Sequence, residues 1–313
     1  MDNKQYSEEQ TKKEINKDNE REINKIEHLV LSGGAYLGLY EYGALKYLSN
    51  EGFIDIENIK SIHGTSIGGL LSVILSLKID WVHLTEYFIK RPWYKMIQLN
   101  PNMFFDVIPN KGLLGKSFFI SLCKPLFETV DISLDITLKQ LYERTNIELY
   151  LYSVNLNTYL IEQLSYKKYP ELKVIDAIHM TCALPYIFQP VWYNDNFYID
   201  GSLINNYPID FCIMQQLETN KDNILGIKLE THNKDNNVIR ENINIFEYGY
   251  LLYKKMSKSI KTVKPYKIKY ELIIPTEEVN MKEGYDIIMD ENKRKEYIES
   301  GEKFANVFLS YNS

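Results

Sequence analysis

The sequence predicts an α/β fold with a mainly parallel central sheet and helices on both faces. Three observations predict it. Strand-like and helix-like segments alternate along the chain after residue 27, the order that builds parallel strands joined by crossover helices. Two of these units pass from strand to helix through short glycine-containing turns, around Gly33 and around Gly64. The chain of 313 residues, 45% hydrophobic and 25% charged, is long and apolar enough to bury a sizeable core.

In chain order, Leu29, Val30 and Leu31 form an apolar run that reads as a strand, and residues 39–48, with Tyr40, Gly43, Ala44, Leu45 and Leu48, read as an amphipathic helix. Residues 60–63 repeat the strand, and residues 67–77, almost continuously apolar, read as a buried helix behind it. Helices are predicted over 81–89, 118–127, 138–144 and 174–182, and paired strands over 148–155 and 160–165. Residues 185–202 read as two short strands joined by a turn at Asn194-Asp195-Asn196. A strand over 224–229, a long amphipathic helix over 243–261, a β-rich run over 266–274 and a helix over 291–309 complete the order. The polar, mixed-charge stretch 1–27 reads as a disordered arm, leaving 28–313 as the folded domain.

Three segments carry chemistry. Gly64-Thr65-Ser66-Ile67-Gly68 lies between a strand and a helix. A chain that reverses this sharply displays its tip residue at the end of the sheet, and the flanking glycines relieve the crowding. The tip is Ser66, presented as an acyl-transfer nucleophile would be. Upstream, Ser32-Gly33-Gly34-Ala35-Tyr36-Leu37-Gly38 opens a helix, so its free backbone N–H groups form an anion site for a phosphate or an oxyanion. Its spacing is not that of a dinucleotide-binding turn. Downstream, Asp200-Gly201-Ser202 follows the apolar strand Phe197-Tyr198-Ile199, which could bring a carboxylate beside the serine. Each segment alone is also compatible with an ordinary packing turn.

Together, residues 31–48, 59–77 and 177–210 resemble the patatin-like phospholipase family, which carries a G-G-G-x-[KR]-G turn, a G-x-S-x-G elbow and a D-G-[AG] motif in this order. The resemblance extends over most of residues 28–309 and implies a three-layer patatin-like fold. It implies that Ser66 is the nucleophile and Asp200 the general base of a Ser–Asp dyad, with Gly33, Gly34 and Ala35, helped by the Ile67 amide, as the oxyanion hole. Gly64, Gly68 and Gly201 shape the elbow and the third motif. The implied reaction is lipid acyl-ester hydrolysis, phospholipase A-type or acylglycerol lipase, with no cofactor, no metal and no need for calcium. Three positions depart from the family pattern. Ala35 replaces the third glycine, Ser202 replaces a smaller residue, and Leu37 stands where the family has a cation, as in its neutral-lipid lipase branch. Leucine there implies weak head-group discrimination.

Two other readings compete. A Ser–His–Asp hydrolase would need a histidine after the acid, and only His232 follows Asp200. A catalytically weak patatin-fold protein could instead bind lipid or act as an interaction module. The net charge of −6 argues against nucleic acid as a partner. Cys123, Cys182 and Cys212 show no metal or disulfide pattern, and the five histidines form no ligand motif. With no signal-peptide core and no membrane-length apolar run, the expected setting is cytoplasmic, with peripheral contact to a membrane or lipid aggregate. Two segments are candidates for that contact: the aromatic and cationic stretch 88–114, with Trp93, Tyr94, Phe104, Phe105 and Ile108, and the lysines Lys254, Lys255, Lys258, Lys261, Lys264 and Lys267. Helical packing and a solvated helix face are the respective alternatives.

Overall fold

The computed structural model describes residues 26–97, 107–215, 221–232, 243, 245–260, 266–277 and 281–312. The strands are β1 (His28–Leu31), β2 (Ser61–Thr65), β3 (Gly112–Leu114), β4 (Glu148–Asn155), β5 (Leu160–Leu164), β6 (Tyr186–Phe188), β7 (Val191–Tyr193), β8 (Asn196–Asp200), β9 (Ile224–His232) and β10 (Tyr270–Glu277). The α-helices are α1 (Gly38–Asn50), α2 (Ile67–Ser76), α3 (Trp81–Lys90), α4 (Lys116–Thr129), α5 (Leu138–Thr145), α6 (Val174–Cys182), α7 (Ile209–Gln215), α8 (Ile245–Ser259), α9 (Met281–Met289) and α10 (Glu291–Asn312).

The central sheet runs β10-β9-β1-β2-β4-β8-β7, with β5 also on β4. The five strands from β10 to β4 are parallel, and β5, β8 and β7 are antiparallel additions. A second, two-stranded sheet pairs β3 with β6; the sequence reading had no strand at β3.

One pairing positions the site. Leu151 and Tyr152 have β2 on one edge and β5 on the other, while Ser153, Val154 and Asn155 have β5 and β8. So β2 and β8 share one edge of β4, end to end. Thr65 is in register with Tyr152, and Asp200 with Ser153. The residue after Thr65 therefore meets the last residue of β8.

The two faces of the sheet differ. One buries an apolar core in which Leu29, Leu31, Ile62 and Leu151 meet Leu45, Leu71 and Ile74 of the helices. The other is thinner and more polar: Val30 and Ile224 pack on Ile209 and Cys212 of α7, while His63 is buried with its Nδ1 2.8 Å from the Tyr152 hydroxyl. Burial pushes the His63 imidazole down to about 3, so it is neutral. Helix α10 lies along α1, and its buried Arg294 donates to the carbonyls of Phe88 and Ile89 at the end of α3.

Of the arm read over 1–27, only Ile26 and Glu27 are described, and both belong to the folded body. Ile26 is buried in the core, and the Glu27 amide donates to the Asn223 carbonyl at 2.9 Å. Within 88–114, Phe88 and Trp93 are buried while Tyr94 and Ile108 are exposed; Phe104, Phe105, Lys261 and Lys264 lie outside the described residues. Among the described residues no helix is long and apolar enough to cross a membrane.

Candidate active site

Ser66 sits between β2 and α2 with φ 55° and ψ −124°, a region that costs a residue with a side chain on the order of 1–3 kcal/mol. The surroundings hold it there. A Cβ on Gly68 would lie 2.6 Å from the carbonyl oxygens of Leu31 and Ser32, and one on Gly64 would lie 2.3 Å from the Gly68 carbonyl oxygen. Only glycine lets strand and helix close on each other at this distance. The Ser66 amide donates to Thr181 Oγ1 at 2.9 Å, and that hydroxyl donates to the Tyr152 carbonyl at 2.6 Å. Thr181, on α6, was not among the residues singled out from sequence; a hydroxyl on a helix gives no local sign that it braces a distant turn.

Ser66 Oγ donates to Asp200 Oδ2 at 2.6 Å. The other oxygen of Asp200 accepts the Ser202 amide at 2.8 Å. Gly201 follows Asp200 and opens a short 3-10 helix (Gly201–Leu203) against Tyr152 in the middle of β4. Asp200 is 1% exposed and Ser66 9%. Burial pushes the Asp200 carboxyl up to about 6, although the bonds from Ser66 and Ser202 pull the other way. A carboxylate poised there can take a proton from a hydroxyl at neutral pH.

The β1–α1 turn lies alongside. The Gly33 amide donates to the Asn206 carbonyl at 2.9 Å, and Asn206 Nδ2 donates back to the Gly33 carbonyl at 3.0 Å. Gly33 is thus a structural clasp, and its N–H is not free for an oxyanion; this corrects the reading of the turn. Among the described residues, no partner engages the amides of Gly34, Ala35 or Ile67. The two turns are in contact, since a Cβ on Gly38 would lie 2.3 Å from the Ile67 side chain. Ala35 adopts φ 51°, which accounts for glycine being the better fit at this position.

The base of the turn is held by a buried carboxyl. Glu41 Oε1 accepts both the amide and the hydroxyl of Ser32 at 2.9 Å, and Ser32 Oγ accepts the Leu229 amide at 2.8 Å. Burial pushes Glu41 up to about 8, so it keeps its proton at neutral pH. Leu37 turns away from the site into the apolar core, 7% exposed. A cation there would be buried rather than offered to a head group.

His232 is exposed at the end of β9, in register with Glu277. Strands β1, β2 and β4 stand between β9 and β8 in the sheet, so no histidine bridges the serine and the aspartate. Among the described residues no group of three or more His, Cys, Asp or Glu side chains could hold a metal ion.

The family model for patatin-like phospholipases matches residues 29–213, a stretch containing both turns and Asp200. The chain is 30% identical over 193 residues to "Probable lipid hydrolase 463L" of Invertebrate iridescent virus 6, covering 62% of this chain and 65% of that protein. It is 23% identical over 240 residues to an uncharacterized protein of Acanthamoeba polyphaga mimivirus, covering 75% and 77% respectively. The match thus spans just under two thirds of the iridescent-virus relative. Among solved structures, VipD from Legionella pneumophila superposes with a TM-score of 0.49 at 15% identity, covering 88% of this chain and 67% of that one. The type III effector protein ExoU of Pseudomonas aeruginosa gives 0.41 at 10% identity, covering 89% and 54%.

Proposed function

The chain belongs to the patatin-like phospholipase family, and from that premise we propose that it hydrolyses fatty-acyl esters of lipids through a Ser66–Asp200 dyad. The observation that carries this reading is the 2.6 Å hydrogen bond between Ser66 Oγ and Asp200 Oδ2, made by a serine on a strained turn.

In the proposed reaction, Ser66 Oγ attacks the ester carbonyl while Asp200 takes its proton. The oxyanion of the tetrahedral intermediate is held by the amides of Gly34 and Ala35, in the turn that leads into α1, and of Ile67, the first residue of α2. Collapse breaks the ester C–O bond, and Asp200 returns the proton to the departing alcohol oxygen. Water then attacks the acyl-serine with Asp200 again as base, releasing the fatty acid and restoring the Ser66 hydroxyl. Charge is stabilised by backbone amides, so the scheme needs no metal. The substrates are phospholipids or acylglycerols at a lipid surface that the protein touches peripherally.

The test is turnover of a monomeric short-chain p-nitrophenyl ester. We expect hydrolysis that persists in EDTA and falls by about 10³-fold or more in Ser66→Ala. Turnover retained by Ser66→Ala, or abolished by EDTA, would overturn the reading.

A further inference from the structure

Helix α8 lays one face against Ser202, two residues beyond Asp200. Gly249, Tyr253 and Ser257 follow one another at intervals of four, so they share that face. A Cβ on Gly249 would lie 2.4 Å from the Tyr186 ring, so the helix sits close. Tyr253 is buried in one cluster with Val154, Ile199 and Leu203. Ser257 Oγ donates to the Ser202 carbonyl at 2.6 Å. The helix thus holds Ser202 by its backbone and sets the Tyr253 ring one turn away.

Ser202 also reaches the Ser66–Asp200 pair. Its amide donates to Asp200 Oδ1 at 2.8 Å. Its hydroxyl stands beside the nucleophile: a Cβ on Gly33 would lie 2.4 Å from Ser202 Oγ and 3.2 Å from Ser66 Cβ. Burial raises the Asp200 carboxyl, and the groups that oppose it are the Ser66 hydroxyl, then the amide and hydroxyl of Ser202. Among the described residues no cation acts on Asp200. The titratable side chains that face it from the packed helices are Cys182 of α6 and Tyr253 of α8, and burial holds both well above their ordinary values, so both stay neutral. The Tyr253 hydroxyl is buried and, among the described residues, has no hydrogen-bond partner. The groups that act on it are the Asp200 charge, the Ser202 hydroxyl and the phenols of Tyr250 and Tyr159.

A buried carboxylate with no cation beside it stays ionised only through the hydrogen bonds it accepts. One of those at Asp200 is lost during the reaction, because Ser66 Oγ carries no proton in the acyl-enzyme. The Ser202 hydroxyl then remains as the side-chain donor. A buried phenol without an acceptor is costly, and Ser202 Oγ, which turns about a single torsion, supplies one. We propose that Ser202 and Tyr253 are positioning residues for the general base: Tyr253 donates to Ser202 Oγ, Ser202 Oγ donates to Asp200, and the pair keeps the carboxylate ionised and set on Ser66. The family pattern has Gly or Ala where Ser202 stands, so this hydroxyl is a departure of this chain. The inference deepens the Ser66–Asp200 reading and rests on it.

The experiment reads the base directly and through catalysis. Aspartate labelled with carbon-13 at the side-chain carboxyl is titrated by NMR in the full chain, with the Asp200 signal assigned by its loss in Asp200→Asn. Ser202→Ala installs a residue of the family pattern and Tyr253→Phe keeps the packed ring, so each removes a hydroxyl and leaves the frame. The wild-type midpoint is expected at about 6. Ser202→Ala should raise it by about 0.5–1 pH, and Tyr253→Phe should raise it by less. Tyr248→Phe, which removes an exposed phenol hydroxyl from the same helix, should leave it unchanged. On the monomeric ester, kcat/KM of Ser202→Ala should fall about three- to tenfold on the acid limb, in step with that midpoint, and stay within about twofold of wild type on the alkaline plateau. An unmoved midpoint in Ser202→Ala or in Tyr253→Phe would overturn the proposal. So would an equal loss of turnover at every pH, which would leave Ser202 a merely structural residue. Raised midpoints in a chain whose wild type turns over no ester would uphold the hydroxyl chain on Asp200 and sink the catalytic reading instead.

Discussion

The two strand-to-helix turns at the site perform adjacent tasks but are held in different ways. The β2–α2 turn, which carries Ser66, is shaped by close contact between backbone segments: Gly68 faces the carbonyls of Leu31 and Ser32, and Gly64 faces the carbonyl of Gly68. The β1–α1 turn, which carries the proposed oxyanion amides, is tied by polar groups from elsewhere in the chain. Asn206 clasps Gly33, and Glu41 with the Leu229 amide fixes Ser32. The strained conformation of Ser66 is therefore enforced mainly by close steric contact, with Thr181 bracing its amide, and the β1–α1 turn mainly by side-chain hydrogen bonds. Adding atoms should break the first turn, and removing polar partners should break the second.

The largest effect is expected for Gly68→Ala. The added methyl would stand 2.6 Å from two backbone carbonyl oxygens that cannot rotate away, so a loss of about 3 kcal/mol or more is expected, read as a fall in denaturant midpoint. A loss below about 1 kcal/mol would mean that the elbow yields, contrary to the account.

Next comes the carboxyl beneath the other turn. Glu41→Leu leaves the buried hydroxyl of Ser32 without its acceptor and its amide with only the 3.2 Å bond to the Ile227 carbonyl, and should cost about 1–3 kcal/mol. Glu41→Gln keeps an acceptor and should cost much less. The proton on Glu41 also makes a pH prediction. Its folded-state pKa of about 8 is raised above the ordinary 4.5 by burial, so between those values the folded chain holds a proton that the unfolded chain has released. Stability from this group is present below about 4.5 and lost as pH rises through about 8. Melts across that window should show a shallower decline in Glu41→Gln than in the wild type. Equal slopes would place the carboxyl's proton elsewhere.

The smallest effect is at Ala35. Its φ of 51° disfavours a side chain, so Ala35→Gly should raise stability by about 0.5–1 kcal/mol, the relief of strain being partly offset by glycine's greater chain entropy. A destabilisation would show that the methyl packs usefully.

The same contrast explains how much was legible in the sequence. The elbow was readable because its determinants are consecutive, as was the strand leading to Asp200. Helix α6 was read at its observed bounds because its periodicity is local. What could not be read depends on partners far along the chain. Gly33 resembled an oxyanion donor until its amide met Asn206, 173 residues away. Leu37 resembled a specificity position, but the turn rotates it into the core. Sharing of one edge of β4 by β2 and β8, which brings Ser66 to Asp200, is a property of the assembled sheet. Helices α7 and α9, of seven and nine residues, were not read from the sequence.

The central claim is that Asp200, and no histidine, activates Ser66. Its most direct test is the rate at which a fluorophosphonate labels Ser66, followed by intact mass against pH. The account predicts one adduct in the wild type and none in Ser66→Ala. The labelling rate should rise as Asp200 loses its proton through about pH 6, be unchanged in His232→Ala and fall by orders of magnitude in Asp200→Asn. Wild-type labelling of Asp200→Asn, or its loss in His232→Ala, would contradict the account.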